Sequence, residues 1–242
     1  MVSKNQIKLI TSLVQKKYRK QHQLFIAEGA KVVEELLQSN FELVNLYTTR
    51  PMFLEVSESK KSIISDSDLK KITALTTAND CLAIFRIPQE KDIEKEGLIV
   101  ALDDIRDPGN LGTIIRLCDW YGISQIICSE QTVDVYNPKV IQATMGSVSR
   151  VNISYIDLEL YLAKSETEIF GTFMDGQNIY KMQLPTSGII VLGNEANGIS
   201  KIIEQQIKQK ITIPRFGNLQ LTESLNVATA TAIVLSEFMR SY

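Results

Sequence analysis

The sequence predicts an α/β protein whose second, larger part carries a mostly parallel sheet. Short apolar runs alternate with helical patterns along most of the 242 residues, as they do where helices connect parallel strands. A charged stretch with almost no apolar content, Gln89–Glu96, interrupts this alternation. Apolar residues make up 44% of the chain, which is enough for a proper core. We therefore predict a small domain at residues 1–88, a charged linker at 89–97 and a larger domain at 98–242.

The first part starts with a helical segment and then alternates strands and helices. Apolar residues between Ile7 and Val14 share one helical face. Asp66 or Ser67 can cap a short helix that runs through Ile72. Short apolar runs predict strands at residues 24–26, 43–47, 62–65 and 82–87. This order is typical of a small α/β domain.

The second part alternates strands and helices more regularly. Short apolar runs predict strands at residues 98–102, 125–128, 151–155, 169–174, 189–192 and 211–213. Helical patterns separate several of these runs, and the last helix is expected from near residue 224 to about 239. Apolar strands joined in this way favour a mostly parallel sheet with helices on both faces.

Composition excludes several classes of function. The three cysteines form no CxxC pair and His22 is the only histidine, so a zinc site is not expected and the thiols should be reduced. The net charge of −2 gives no general support for nucleic-acid binding, which must then depend on local positive charge. No apolar run suits a signal peptide or approaches the roughly 20 residues of a membrane span. We expect a cytoplasmic protein without membrane or metal partners.

Three loops that follow predicted strands carry polar groups suited to a ligand, since open α/β sheets bind ligands beyond the carboxyl ends of their strands. After residues 98–102, an Asp-Pro-Gly turn leads to Asn110, Gly112 and Arg116. Asn110 or Thr113 can cap the helix that follows, and Arg116 lies about one turn into it. The alternative is an ordinary turn with a solvent-facing arginine. The loop is not GxGxxG, so a dinucleotide site is not supported.

The other two loops follow the runs at 189–192 and 211–213. Glu195 stands between two glycines, where it can accept hydrogen bonds or form part of an ordinary Asn-Gly turn. The second loop leads from Pro214 to the last helix, which Thr222 or Ser224 can cap. That helix carries small residues at 228–232, which let another backbone pack closely.

Taken together and in this order, the loops resemble the three motifs of SpoU (TrmH) RNA 2′-O-ribose methyltransferases of the SPOUT superfamily. The resemblance to the first motif lies in Asn110, Gly112 and Arg116. The resemblance to the second lies in Leu192, Gly193, Glu195 and Gly198, and that to the third in Ile213-Pro214 and Ser224–Val227. The third loop is about three residues longer than the common family pattern. The first part resembles the family's substrate-binding extension, a ribosomal-protein-like α/β domain.

The resemblance implies a trefoil knot, S-adenosylmethionine as cofactor, RNA as substrate and an obligate homodimer with its site at the subunit interface. Ribosomal RNA is favoured over transfer RNA because of the N-terminal extension. The implied catalytic residues are Arg116, Asn110, Glu195, Ser224 and Asn226. The implied cofactor-binding residues are Gly193, Ile213, Leu225, Leu192 and Thr172.

Physical chemistry fits roles to this set. Arginine side chains stay protonated in proteins, so Arg116 is an unlikely base. It is better suited to clamp a phosphate and to stabilise developing alkoxide charge. Ser224 and Asn226 are expected to hold the sugar or the arginine, and Glu195 and Asn110 to organise the loops.

A basic run outside these loops is the candidate for further RNA contact. No acidic residue lies between Lys4 and Lys20, and the residues expected to meet phosphates are Lys16, Lys17, Arg19 and Lys20. The alternative is a solvated amphipathic helix. For the whole chain, the alternatives are a non-catalytic RNA-binding or ribosome-assembly protein on the same fold, and a nucleotide-dependent oxidoreductase, which the missing GxGxxG disfavours.

Overall fold

The computed structural model describes residues 2–77, 79–219 and 224–240, and it confirms the α/β class. The described residues group into two compact units. One comes from Met1–Glu90 with Asp134–Ser149, and the other from Lys91–Val133 with Arg150–Tyr242. The sequence patterns gave no sign that the segment 134–149 belongs with the first unit.

The first unit is built on a four-stranded sheet in the order β1-β4-β2-β3. Strand β4 is antiparallel to both of its neighbours, and β2 and β3 are parallel. Its elements are α1 (Lys4–Ser12), α2 (Lys16–His22), β1 (Leu24–Glu28), α3 (Ala30–Leu37), β2 (Leu43–Thr48), β3 (Lys61–Ile63), α4 (Asp66–Ile72), β4 (Cys81–Arg86) and, from the second segment, α6 (Pro138–Thr144).

Local chemistry sets where the helices of this unit begin. The Ser3 hydroxyl accepts from the Gln6 amide and the Gln6 side chain accepts from the Ser3 amide, which forms a capping box for α1. Helix α4 is capped by Ser65, whose hydroxyl accepts from the Asp68 amide at 3.2 Å. The predicted cap at Asp66 or Ser67 was therefore wrong by one or two residues.

The second unit contains a six-stranded sheet in the order β10-β8-β9-β5-β6-β7, and every pairing among its described residues is parallel. The central strands β5 and β9 are fully buried, as expected for a sheet covered on both faces. The elements are β5 (Leu98–Leu102), α5 (Pro108–Trp120), β6 (Gln125–Ser129), β7 (Asn152–Ile156), α7 (Leu158–Ala163), β8 (Ile169–Asn178), β9 (Gly188–Leu192), α8 (Lys201–Glu204), β10 (Gln209–Thr212) and α9 (Val227–Met239).

Two helix caps in this unit differ from those predicted. Asp107 caps α5, because its carboxylate accepts from the Asn110 amide at 2.8 Å and Pro108 occupies the first helical position. Asn226 caps α9, because its side-chain Oδ1 accepts from the backbone amides of Ala228 and Thr229 at 2.9 and 3.3 Å. The predicted caps at Asn110 or Thr113 and at Ser224 were wrong, and Thr222 lies outside the described residues.

Small residues permit close backbone packing where the site is built. A Cβ added at Gly193 would lie 2.2 Å from backbone atoms of Gly198 and Ile199, so the end of β9 packs directly against the loop that follows it. The predicted close packing of α9 is also observed, since Ala228 and Thr231 are buried and α9 packs on α5. Among the described helices, none has the length and apolar character needed to cross a membrane.

Candidate active site

The three loops meet at one edge of the six-stranded sheet. They follow β5, β9 and β10, and these strands lie close together in the order β10-β8-β9-β5. Because the pairings are parallel, the carboxyl ends of these strands point to the same edge. The sequence predicts that each loop follows a strand, but it does not give the strand order that brings the three loops together.

Asn110 joins all three loops through its side chain. Its Nδ2 donates to Oε1 of Glu195 at 2.8 Å, and its Oδ1 accepts from Nδ2 of Asn226 at 2.9 Å. The Oδ1 of Asn226 in turn accepts from the first amides of α9. A carboxylate can only accept, so Glu195 fixes which way the Asn110 amide points, and that orientation selects the Asn226 amide as donor.

A second, more buried set of hydrogen bonds supports these loops. Asn194 donates from Nδ2 to the carbonyl oxygen of Asp104 at 2.7 Å, and its Oδ1 accepts from the amides of Ala196 and Asn197. The buried carboxylate of Asp103 accepts from the Ser200 amide at 2.7 Å. Sequence reasoning missed both residues. The available signal was a polar side chain within two residues of the end of an apolar strand, a position where burial demands a partner.

A cleft of about 1430 Å³ opens beside this network. Its walls come from the ends of β8, β9 and β10 and the start of α9. The structure places all five residues expected to bind the cofactor on these walls, namely Thr172, Leu192, Gly193, Ile213 and Leu225. Glu195 and Ser224 also line the cleft, so both motif loops and the head of α9 contribute to it.

Charged groups on the cleft wall were not anticipated. Lys210 pairs with Glu204, and its Nζ lies 4.5 Å from the centre of the Phe173 ring. The hydrogen bond from Lys210 to Glu204 raises the pKa of the lysine above its usual value, and the nearby Asp175 carboxylate adds to the effect. A cleft with both apolar and charged walls suits an elongated ligand that has a flat apolar part and a charged end.

Arg116 does not lie with the other predicted catalytic residues. Its side chain is exposed on α5, on the same outward face as Trp120, which is 83% exposed. Within the part of the chain that the structure describes, its guanidinium makes no hydrogen bond or salt bridge, and it is absent from the cleft wall. The fold of one chain therefore collects Asn110, Glu195, Ser224 and Asn226 but leaves Arg116 outside.

The basic helix α2 of the first unit presents most, but not all, of its predicted RNA contacts. Lys16, Lys17 and Lys20 are exposed. The Tyr18 and His22 rings stack with centroids 6.5 Å apart, and Nζ of Lys17 lies 5.7 Å from the Tyr18 centroid. Such a face combines positive charge with flat rings, as single-stranded RNA requires.

Arg19 corrects one of these predictions. It is 2% exposed and forms a salt bridge with Asp134, while its Nη1 donates to the carbonyl oxygens of Leu13 and Val14 at 2.9 and 2.7 Å. Position in a basic run suggested a phosphate contact, but burial and complete pairing make Arg19 an internal anchor for α2.

Among residues 2–77, 79–219 and 224–240, no three His, Cys, Asp or Glu side chains come together as a candidate metal site. The three cysteines are buried and form no disulfide. Burial raises the pKa of the Cys81 thiol to about 12, and it raises the pKa values of Cys118 and Cys128 as well.

Comparisons with known proteins agree with this geometry. Among curated proteins, the chain is 29% identical over 243 residues to the 23S rRNA (guanosine(2553)-2′-O)-methyltransferase RlmP of Bacillus subtilis, with 96% of each chain covered. It is 30% identical to the 23S rRNA (guanosine-2′-O-)-methyltransferase RlmB of Acinetobacter baylyi, covering 88% of this chain and 95% of the relative.

Solved structures give the same picture. A putative RNA methyltransferase of the TrmH family from Porphyromonas gingivalis is 39% identical and matches with a TM-score of 0.91 over the full length of both chains. An AdoMet-bound rRNA methyltransferase from Sinorhizobium meliloti is 28% identical, with a TM-score of 0.85 over 100% of this chain and 97% of the other. Residues 4–83 match the MRM3-like substrate binding domain, and residues 97–236, more than half of the chain, match the SpoU rRNA Methylase family. The chain therefore belongs to the SpoU rRNA methylase family.

Proposed function

We propose that this protein is an S-adenosylmethionine-dependent RNA methyltransferase that methylates a ribose 2′-hydroxyl of ribosomal RNA. The observation that carries the proposal is the Asn110 side chain, which links Glu195 and Asn226 at the mouth of a large cleft. This network ties together the three loops in which the chain resembles SpoU enzymes. The names of its relatives support ribosomal RNA as the substrate.

The residues of the cleft fit S-adenosylmethionine. The apolar side chains of Leu192, Ile213 and Leu225 suit the flat adenine of S-adenosylmethionine. The carboxylates of Asp175 and Glu204 suit its sulfonium and ammonium groups. Gly193 contributes only backbone atoms to the cleft wall. We therefore assign these walls to the cofactor, and we expect the chain around them to form the trefoil knot implied by the family.

S-adenosylmethionine supplies an electrophilic methyl group, and the protein has to position the ribose hydroxyl and stabilise the charge that develops on it. Ser224 lies on the cleft wall with an exposed hydroxyl that can hold the sugar. Asn110 and Glu195 keep the loops in place, so their effect on the reaction is one of positioning. None of these three groups is a cation, so we leave the stabilisation of developing negative charge to the arginine.

We assign that charge stabilisation to Arg116 of a second copy of the chain. Arg116 is exposed, lies outside its own cleft and has no partner among the described residues. An arginine that acts on a phosphate or a developing alkoxide must reach the cleft, and a homodimer supplies it from the other subunit. On this proposal the dimer is obligate and works in the cytoplasm, where it meets ribosomal RNA through the lysines of α2.

The alternative is a non-catalytic RNA-binding protein on the same fold. Loss of catalysis would remove the constraint on the groups that organise the site, yet Asn110, Glu195 and Asn226 are present and hydrogen-bonded. The second alternative, a nucleotide-dependent oxidoreductase, has no support in the loop after β5, which leads through Asp107-Pro108-Gly109 into α5 and contains no GxGxxG sequence.

Calorimetric titration with S-adenosylmethionine and S-adenosylhomocysteine, together with the mass in solution, tests the proposal. We expect saturable binding by a dimer. The matched variant is Arg116→Ala, which should keep both the dimer and cofactor binding but lose methyl transfer. A folded wild-type protein that binds neither compound would contradict the enzymatic proposal and favour the non-catalytic one.

A further inference from the structure

An exposed aromatic ring lies on the wall of the candidate active site. Phe216, in the loop after β10, is 81% exposed and lines the cleft. Tyr180 follows β8 and is 36% exposed. The two ring centroids are 6.4 Å apart and the ring planes are inclined by 30°. Large exposed apolar groups beside a functional cleft mark a binding surface.

Two separate segments deliver these rings to the same place. Strands β8 and β10 are neighbours in the sheet, so the turn after one and the loop after the other meet at its carboxyl edge. Each ring also has a cationic neighbour in the chain: Arg215 precedes Phe216, and the exposed Lys181 follows Tyr180. The surface thus combines flat apolar rings with positive charge.

This combination matches the chemistry of one nucleotide in single-stranded RNA. A ribose hydroxyl that enters the cleft brings along its base, which has left its stack in the RNA, and the phosphates on either side. Aromatic rings replace the lost stacking, and cationic side chains meet the phosphates. Neither residue belongs to the motifs that carry the family resemblance, so the surface is an addition to the site described above.

We propose that Phe216 and Tyr180 form a stacking platform for the base of the nucleotide that is methylated. The proposal rests on the proposed function and names the element that holds its substrate. Stacking on a ring accepts any base, so the platform positions the nucleotide, and the sequence around it is read elsewhere.

The test uses full-length protein with Phe216 changed to Ala, Leu or Trp. Leu keeps apolar surface without the ring, and Trp keeps a ring. Leu54→Ala is the matched surface control, because Leu54 is also 81% exposed and lies in the first unit. Each protein is assayed for S-adenosylmethionine affinity, mass in solution, and kcat and KM for methyl transfer to 23S rRNA transcribed in vitro.

We expect kcat/KM for RNA to fall about tenfold or more in Phe216→Ala and Phe216→Leu, within the range for loss of one base–ring stack. Cofactor affinity and mass should stay unchanged, Phe216→Trp should recover most of the activity, and Leu54→Ala should match wild type. Tyr180→Ala should cause a smaller loss in the same direction.

Three results would overturn the inference. Full activity of Phe216→Leu would show that the ring is not needed. A parallel loss of cofactor affinity would place the adenine of S-adenosylmethionine on the ring, and a change in mass would place a second copy of the chain there. Failure of the wild-type protein to bind S-adenosylmethionine or to methylate the RNA is a separate result, which would remove the proposed function and the platform with it.

Discussion

Replacing Gly193 with alanine should destabilise the unit that carries the cleft. The added Cβ would lie 2.2 Å from backbone atoms of Gly198 and Ile199, whereas real Cβ contacts are essentially never under 3.0 Å. The two backbone segments must therefore separate by about 0.8 Å, and no flexible side chain can move aside to relieve the contact. Displacement also strains the two hydrogen bonds between the backbones of Asn194 and Gly198, at 3.0 and 2.9 Å.

The magnitude follows from these contacts. Overpacking against rigid backbone costs about 1–3 kcal/mol, and weakening two backbone hydrogen bonds adds about 1 kcal/mol. A total of about 3 kcal/mol corresponds to a fall in Tm of roughly 6–12 °C for a chain of this size. Cofactor affinity should fall as well, because Gly193 lines the cleft.

Gly217→Ala is the matched control for this prediction. Gly217 lies in the wall of the same cleft, but a Cβ there would have no neighbour within 4 Å and its φ is not positive. Its Tm should stay the same or rise slightly, since alanine restricts the unfolded chain at a compatible position. Differential scanning calorimetry of both variants gives the comparison. Equal Tm values for the two would refute the argument from close packing at the end of β9.

Further predictions concern Asn110, the basic helix α2 and the three cysteines. Asn110→Ala should lower the rate of methyl transfer about 10-fold or more, while Tm falls by less than about 3 °C. The reason is that the two hydrogen bonds of Asn110 order exposed loops and contribute little to the core. An unchanged rate of methyl transfer would contradict the positioning role. Arg19→Ala should destabilise the first unit by about 3 kcal/mol, because it leaves buried groups unpaired. Lys17→Ala should leave the stability in urea unchanged. It should instead reduce the slope of log K for RNA binding against log salt concentration by about one. Equal stability of these two variants would argue against the buried anchor. Burial raises the pKa values of the Cys81, Cys118 and Cys128 thiols and leaves little thiolate at pH 8. The native protein should therefore resist iodoacetamide for hours and react fully in urea, which mass spectrometry can show. Rapid labelling of the native protein would contradict the burial of these thiols.

Much of the second unit could be predicted from the sequence because its central strands are buried on both faces. Such strands appear as continuous apolar runs, and the run at residues 98–102 coincides with β5 (Leu98–Leu102). Strand β8 was harder, because it continues beyond the predicted 174 to Asn178 through residues that are exposed or only half-buried. An apolar run ends where burial ends, even when the strand continues.

The candidate site shows the limits of local patterns in a different way. The pocket residues could be placed from the motifs, but the bond between Asn110 and Asn226 spans 116 positions in sequence and depends on the strand order. Arg19 shows the reverse error: a basic run suggested a surface residue, and its partner Asp134 lies 115 positions away. Charge pairs that close over such distances leave no periodic signal.

The proposed reaction is the transfer of a methyl group from S-adenosylmethionine to a ribose oxygen. The most direct measurement is incubation of the wild-type protein with isotopically labelled S-adenosylmethionine and 23S rRNA transcribed in vitro, followed by digestion to nucleosides and mass spectrometry. We expect label in one 2′-O-methylnucleoside, and none when Arg116→Ala replaces the wild type. Label on a base, or no label from a protein that binds the cofactor, would contradict the claim.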